Sequence, residues 1–256
     1  MARDSNEREA PFWWRAGSFL LALGSLAGVF TFAFAAMGHR WNWAGVWKYR
    51  DLYAHGWLVT VGLSAISLIM SCVIGVIIAL LRRTPWLPLR YVARIYVEVI
   101  RGTPLLVQIL IFFYVVAHSF GIENRYFVGV MTLSVFSGAY ISEVIRAGIE
   151  GIGKSQLDSA RAIGLTTAQT YGYVIFPQAI RQILPPLAGQ FASLIKDSSL
   201  LSIIGISDLT LNAQDIASYS YANFETYLPL AAGYLLLTLP ISLWTQSLER
   251  RNRFET

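Results

Sequence analysis

The stretch GIEGIGKS, residues 148–155, fits the phosphate-binding pattern G-x-x-x-x-G-K-[ST]. Such a loop needs a β-strand before it and a helix after it, so that backbone N–H groups cradle the phosphates. The residues before it, FVGVMTLSVFSGAYISEVIRA (127–147), read instead as an apolar helix of membrane-spanning length. The next apolar segment begins near Gln182, about 35 residues on, and a single βαβ unit already takes about 30. Asp208 follows an apolar run, but the topology derived below puts it on the opposite side of the membrane. ATP hydrolysis by this chain is therefore not expected, and the fold is decided by the surrounding helices.

Composition agrees. Of 256 residues, 55% are hydrophobic and only 14% charged, where a soluble domain carries about 25% charged residues. Six segments are apolar enough to cross a bilayer, which takes about 20 residues each: approximately 17–37, 57–81, 96–118, 126–147, 182–205 and 226–247. The first ends in FAFAAM, like a signal cleavage site, but its apolar run exceeds the roughly 7–15 residues of a signal core. Trp13 and Trp14 at one end, and Trp41, Trp43 and Trp47 beyond the other, read as interfacial anchors of a retained span.

Basic residues orient the spans. One set of loops holds Arg3, Arg8 and Arg15, then Arg82, Arg83, Arg90 and Arg94. The same side holds Arg146, Lys154, Arg161 and Arg181, and finally Arg250, Arg251 and Arg253. The other side holds Arg40, Lys48, Arg50 and Arg125, and its loop 206–225 has neither Lys nor Arg. Both termini are thus expected in the cytoplasm. This distribution accounts for the net charge of +5 without a nucleic-acid partner. Cys72 is the one cysteine, so no disulfide forms within the chain. His39, His55 and His118 lack metal-ligand spacing, and no metal or cofactor is expected.

The loop after Ala147 has its own logic. Ser155-x-x-Asp158 has the form of a capping box, opening a short helix from Gln156 to about Ile163. Gly164 stands where a C′ glycine ends it. Thr166-x-x-Gln169 is a second capping box, opening a helix to about Phe176 that Pro177 closes. Gly148, Gly151 and Gly153 are expected to terminate the membrane helix. Two readings fit: an ordinary helical hairpin or a docking element.

From Asp158 the chain reads D-S-A-x₃-G-x₉-V-x-F-P, ending at Pro177. This resembles the EAA loop of ATP-binding-cassette importer permeases, E-A-A-x₃-G-x₉-I-x-L-P, with Asp for Glu, Ser for Ala, Val for Ile and Phe for Leu. VEVIRGTPLLVQ (97–108), YISEVIRAGI (140–149), FPQAIRQILPPL (176–187) and IKDSSLLSII (195–204) make it similar to the polar amino-acid permeases of bacteria. The resemblance covers about 52–248, which leaves the first span additional to a five-helix core. It implies a coupling element at Gln156, Asp158, Ser159, Ala160, Arg161, Gly164, Leu165 and Pro177 that docks on a separate ATPase dimer. It also implies a second permease, an external substrate-binding protein and a bacterial inner membrane.

Charged residues at membrane depth cost about 2.5–3.5 kcal/mol each and are functional candidates by default. Gln182, Gly189, Gln190, Ser193 and Asp197 share one helix face. With Lys196 beside Asp197, that face could line a path for a zwitterion; alternatively the two charges are a structural pair. Glu98 and Arg101 are spaced i,i+3, with Arg94 and Gln108 extending their face, and Gly102-Thr103-Pro104 should break the helix there. Glu98 and Arg101 either contact substrate or pair with each other, whereas Glu143 and Arg146 read as an i,i+3 pair.

The expectation is an all-α polytopic membrane protein. Residues 1–50 form the N-terminus, additional helix and outer segment. Residues 51–249 form the permease domain with its loop at about 150–181, and 250–256 a tail. The expected role is the membrane subunit of an ATP-driven amino-acid importer that itself catalyses no covalent reaction. The alternatives are a transporter or channel working without ATP, and an importer of another small polar solute.

Overall fold

Apolar runs without strand periodicity become helices, and all regular structure among the described residues is helical. The computed structural model describes residues 11–36, 38–39 and 41–252. Arg3, Arg8, Arg40 and Arg253 lie outside them, as do the side chains of Arg15, Arg250 and Arg251. The chain forms two units, up to Asn42 and from Trp43 onward. The first contains α1 (Phe12–Ala36), whose central residues 16–32 are apolar.

The second unit begins with α2 (Trp43–Trp47) and α3 (Arg50–Leu81). Next come α4 (Leu87–Gly102) and α5 (Leu105–Ile111), the latter prolonged by a π-helical stretch to Ala117. α6 is Arg125–Glu150 and α7 is Lys154–Ala162. α8 (Thr167–Gln169) runs through a π-helical stretch into α9 (Phe176–Asp197), and a 3₁₀ stretch continues α9 to Ile204. α10 (Leu209–Ser220) and α11 (Asn223–Asn252) complete the unit.

By length and composition, α3, α6 and residues 223–249 of α11 can each cross a membrane. α4 and α5 with its π extension together form a fourth candidate, bent by 110°. The span expected at 96–118 is therefore two helices meeting at Gly102-Thr103-Pro104. Gln108 explains the shape of that break. Its buried Nε2 donates to Ile100 O at 2.8 Å, to Thr103 Oγ1 at 2.8 Å and to Thr103 O at 3.2 Å. The side chain thus satisfies carbonyls that the broken helix leaves without a donor. The segment expected at 182–205 is α9 with its 3₁₀ continuation, which ends at Gly205 with φ 74°.

α3 and α6 pack through small residues. Along α3 the buried positions include Gly56, Thr60, Ser64, Ser67, Ser71, Gly75 and Ala79, spaced to form one face. Ser134, Gly138 and Ile141 of α6 face the stretch from Ser67 to Gly75, whereas Gly56 and Thr60 meet α10 at Asp208, Leu209 and Asn212. A Cβ at Gly75 would meet Ile141 Cγ2 at 2.5 Å, and one at Gly138 would meet Ile74 Cγ2 at 2.6 Å. Ser134 Oγ bonds Val130 O at 2.6 Å and lies 3.4 Å from Ser67 O across the seam. Beyond the seam, Leu63, Leu105, Ile109, Val130, Leu133, Leu201, Ile204 and Ile206 form the main apolar cluster.

Asp208, wholly buried, is the N-cap of α10 and accepts from Leu211 N at 2.8 Å. Its role in the fold is thus to satisfy a helix N-terminus. We predict that Gly75→Val lowers thermal stability in detergent by about 1–3 kcal/mol through overpacking. Gly62→Ala, on the same helix with open space around it, is expected to be neutral or slightly stabilising; equal losses in a melting assay would refute the seam.

Candidate functional site

The loop between α6 and α9 is rooted by apolar contacts. Ile152, Ile175 and Ala179 are buried together, with Ile149, Leu157 and Ile183 against them. The glycines expected to stop α6 do different things. Gly148 lies inside the helix, where a Cβ would strike the Ile183 side chain, and Gly151, the C-cap, sits against Gln182. Gly153 is the N-cap of α7.

α7 starts at Lys154, so Ser155 falls inside its first turn and the expected Ser155–Asp158 capping box does not form. The buried Ile152 fixes where the chain leaves the bundle, and the helix begins directly after Gly153. At the other end, Gly164 takes φ +81°. Gly164 N bonds Arg161 O at 2.9 Å and Leu165 N bonds Ala160 O at 3.1 Å. This is a complete Schellman cap, which satisfies carbonyls at the end of the short helix. Thr166 and Gln169 form the second box as expected: Thr166 N donates to Gln169 Oε1 at 2.9 Å, and Gln169 N to Thr166 Oγ1 at 3.3 Å. Pro177 does not end that run. It occupies the first turn of α9, where its missing N–H costs little, and the turn before it opens into a π-helix.

Gln156, Asp158, Ser159, Arg161 and Gly164 are exposed, and Leu165 is half-buried. Ala160 is buried within the chain. Asp158 and Arg161 lie 3.9 Å apart, both exposed, a pair that contributes little. Ile163, which no pattern in the loop singles out, is 76% exposed beside Gly164 and presents an apolar tip.

Next to the root of this loop is a cluster of charge. Glu143 accepts from Arg82 Nη1 at 2.5 Å and is bound by Arg146, which also holds Glu150. Arg101 approaches it at 3.8 Å and lies over the Tyr140 ring, 5.3 Å from the centroid. The Glu143–Arg146 pair is as expected, but Glu98 is exposed and Arg101 turns to Glu143 instead. Arg82 was not legible as a partner because it joins from the end of α3, 61 residues away. One carboxylate therefore ties the ends of α3 and α4 to α6. A cavity of about 350 Å³ opens beside it, lined by Arg101, Tyr140, Glu143, Gln182 and Pro186 among others.

The polar face of α9 is present. Gln182 and Lys196 are exposed, and Gly189, Gln190, Ser193 and Asp197 are half-buried. Gln190 Nε2 lies 3.4 Å from Ser137 Oγ on α6. Lys196 and Asp197 are in no ion pair among the described residues, and none of those residues forms a cluster able to hold a metal. Gln108 is committed to the α4–α5 break and does not share a face with Glu98 and Arg101.

Residues 71–254 match the family described as the binding-protein-dependent transport system inner membrane component. The chain is 36% identical over 201 residues to the probable glutamine ABC transporter permease protein GlnM of Bacillus subtilis, covering 78% of this chain and 93% of that one. It is 33% identical over 214 residues to the glutamine transport system permease protein GlnP of Escherichia coli, covering 83% and 98%. Among solved structures, a chain from an amino acid ABC transporter crystallised with histidines has TM-score 0.78 and 38% identity, covering 83% of this chain and 100% of that one. A chain of the MetNI methionine ABC transporter has TM-score 0.65 at 17% identity and shares the fold.

We predict that Glu143→Gln destabilises the detergent-solubilised protein by about 1–3 kcal/mol, because three guanidinium groups lose a charged acceptor. Glu98→Gln, at an exposed position without an ion pair among the described residues, is expected to change the melting temperature little; a similar loss would show that the cluster does not hold the helices together.

Proposed function

Because the chain belongs to the family of binding-protein-dependent transport system inner membrane components, we propose that it is the permease subunit of an ATP-driven importer of a polar amino acid. Glutamine is the first cargo to test, since the relatives in Bacillus subtilis and Escherichia coli are named for it. The chain is a multi-pass membrane transport component, not an enzyme, and ATP hydrolysis belongs to a separate subunit. In this reading it resides in a bacterial inner membrane, with about six spans and both termini in the cytoplasm. It pairs with a second permease copy or homologue and receives cargo from an extracytoplasmic binding protein.

The observation that carries the proposal is the Schellman-capped α7 at the tip of a rigidly rooted loop. A short helix transmits force only if its ends do not fray and its base does not slide. Gly164 closes the far end, the N-terminus follows Gly153 without a side-chain cap, and Ile152 with Ile175 anchors the base. The exposed Gln156, Asp158, Ser159, Arg161 and Ile163 are the surface offered to the ATPase dimer. The polar face of α9, with Gln190, Ser193, Lys196 and Asp197, is proposed to border the path, and Arg101 lines the cavity at one end of it.

The test is uptake by proteoliposomes containing the complete transporter. A left-handed conformation costs an ordinary L residue about 1–2 kcal/mol, with Asn tolerated better. Gly164→Val is therefore expected to abolish ATP-driven uptake while the protein stays folded, and Gly164→Asn to retain part of it. Normal uptake by Gly164→Val would overturn the assignment. Lys154→Ala should leave ATP hydrolysis by the complex within about twofold of wild type, since Lys154 merely opens an exposed helix here. Loss of nucleotide binding would revive the phosphate-loop reading.

A further inference from the structure

We propose that α4 lies in the membrane–water interface and that, with the Arg83 loop before it, it binds the headgroups of anionic phospholipids. Its two ends are tethered at one level. Near the start, Arg90 donates through Nε and Nη2 to Thr84 O at 3.1 and 2.7 Å, directly after α3 ends. At the far end, Arg101 approaches Glu143, the carboxylate that also binds Arg82 at the end of α3. A helix held at both ends to the terminus of a membrane-crossing helix runs across that terminus, not down it. The 110° turn into α5 agrees, since the chain must change direction there to enter the bilayer.

The side chains of α4 divide into three faces. Ala93, Val97 and Ile100 are buried in the bundle, and Tyr96 reaches Val135 O at 2.5 Å. Val92, Ile95 and Val99 are 63%, 61% and 54% exposed, an apolar strip left uncovered by the described residues. Arg90, Arg94, Glu98 and Arg101 recur on the remaining face. An apolar strip beside a basic face is the pattern of a helix lying in the interface. Trp86 and Tyr91, both largely exposed, supply the aromatic side chains that favour the headgroup level.

Charge selects the partner. Arg82 and Arg101 are engaged by Glu143. Arg83 and Arg94 are exposed and have no carboxylate partner among the described residues. Arg90 bonds a neutral carbonyl and no carboxylate among the described residues, and Glu98 is the one acid on α4. The surplus is positive, and it lies beside an apolar strip suited to acyl chains. An anionic phospholipid meets both requirements with one molecule.

The experiment uses the full chain in detergent, titrated with an equimolar mixture of phosphatidylglycerol and phosphatidylcholine and read by native mass spectrometry. Wild type is expected to retain phosphatidylglycerol preferentially. Arg83→Gln with Arg94→Gln should cut that preference about tenfold, and Arg83→Lys with Arg94→Lys should keep it. Arg50→Gln, at the opposite end of α3, should leave it unchanged. Equal retention of the two lipids by wild type would overturn the proposal, as would an unaltered preference in the glutamine variant. An equal loss in the lysine or Arg50 variant would do the same, by removing charge or location as the cause. A dimer of the chain that the glutamine variant breaks, with lipid retention unchanged, would assign the face to a second copy and also overturn it. The inference does not depend on the ATPase-docking role of α7.

Discussion

Close approach of α3 and α6 is the constraint from which the other arrangements follow. In a bilayer, apolar side chains gain little by meeting each other instead of lipid, so helices associate where small residues let backbones come near. Gly75 and Gly138 meet opposite Ile141 and Ile74, interlocking a glycine and a branched side chain on each helix. Serines line the rest of the seam, and Ser134 and Ser142 return their hydroxyls to carbonyls of their own helix. The seam is therefore dense with the Ser134 and Ser142 hydroxyls satisfied, while the buried Ser67 hydroxyl has no partner among the described residues.

That seam brings the end of α3 beside the last turns of α6, so Arg82 can reach Glu143. The same carboxylate draws in Arg101 at the end of α4, just before the chain turns by 110°. Gln108 then fills the turn from its far side. Below Glu143, α6 continues to Gly148, whose lack of a side chain lets α9 cross closely at Ile183. The two chains entering and leaving the α7 loop are thus held together at its base. Motion imposed on α7 would reach α6 and α9 through this contact.

The sequence disclosed elements whose cause is local and missed those whose cause is distant. The Gly164 turn and the Thr166–Gln169 box depend on residues within a few positions, and both formed. The Ser155–Asp158 box depended on where the helix starts, and burial of Ile152 moved that start toward the N-terminus. Pro177 predicts a stop because a proline disrupts an α-helix one turn back. The chain instead widened that turn into a π-helix and continued. Glu98 with Arg101 was a sound local pairing, but Glu143 from another helix competed for the guanidinium. No periodicity within α4 contains that information.

The phosphate-loop match illustrates the same division between pattern and context. A nucleotide-binding loop uses its glycines so that the backbone can wrap a ligand. In this chain the glycines serve contacts with the protein itself: Gly148 admits Ile183, Gly151 faces Gln182, and Gly153 starts α7. Lys154 and Ser155 are exposed in the first turn of that helix, with the apolar helix α6 in place of a strand before them. The motif specifies small residues followed by a cation and a hydroxyl. A close helix crossing that leads into a solvent-exposed helix asks for nearly the same composition. Only the element preceding the motif distinguishes the two cases, and here its length and hydropathy were already readable in the sequence.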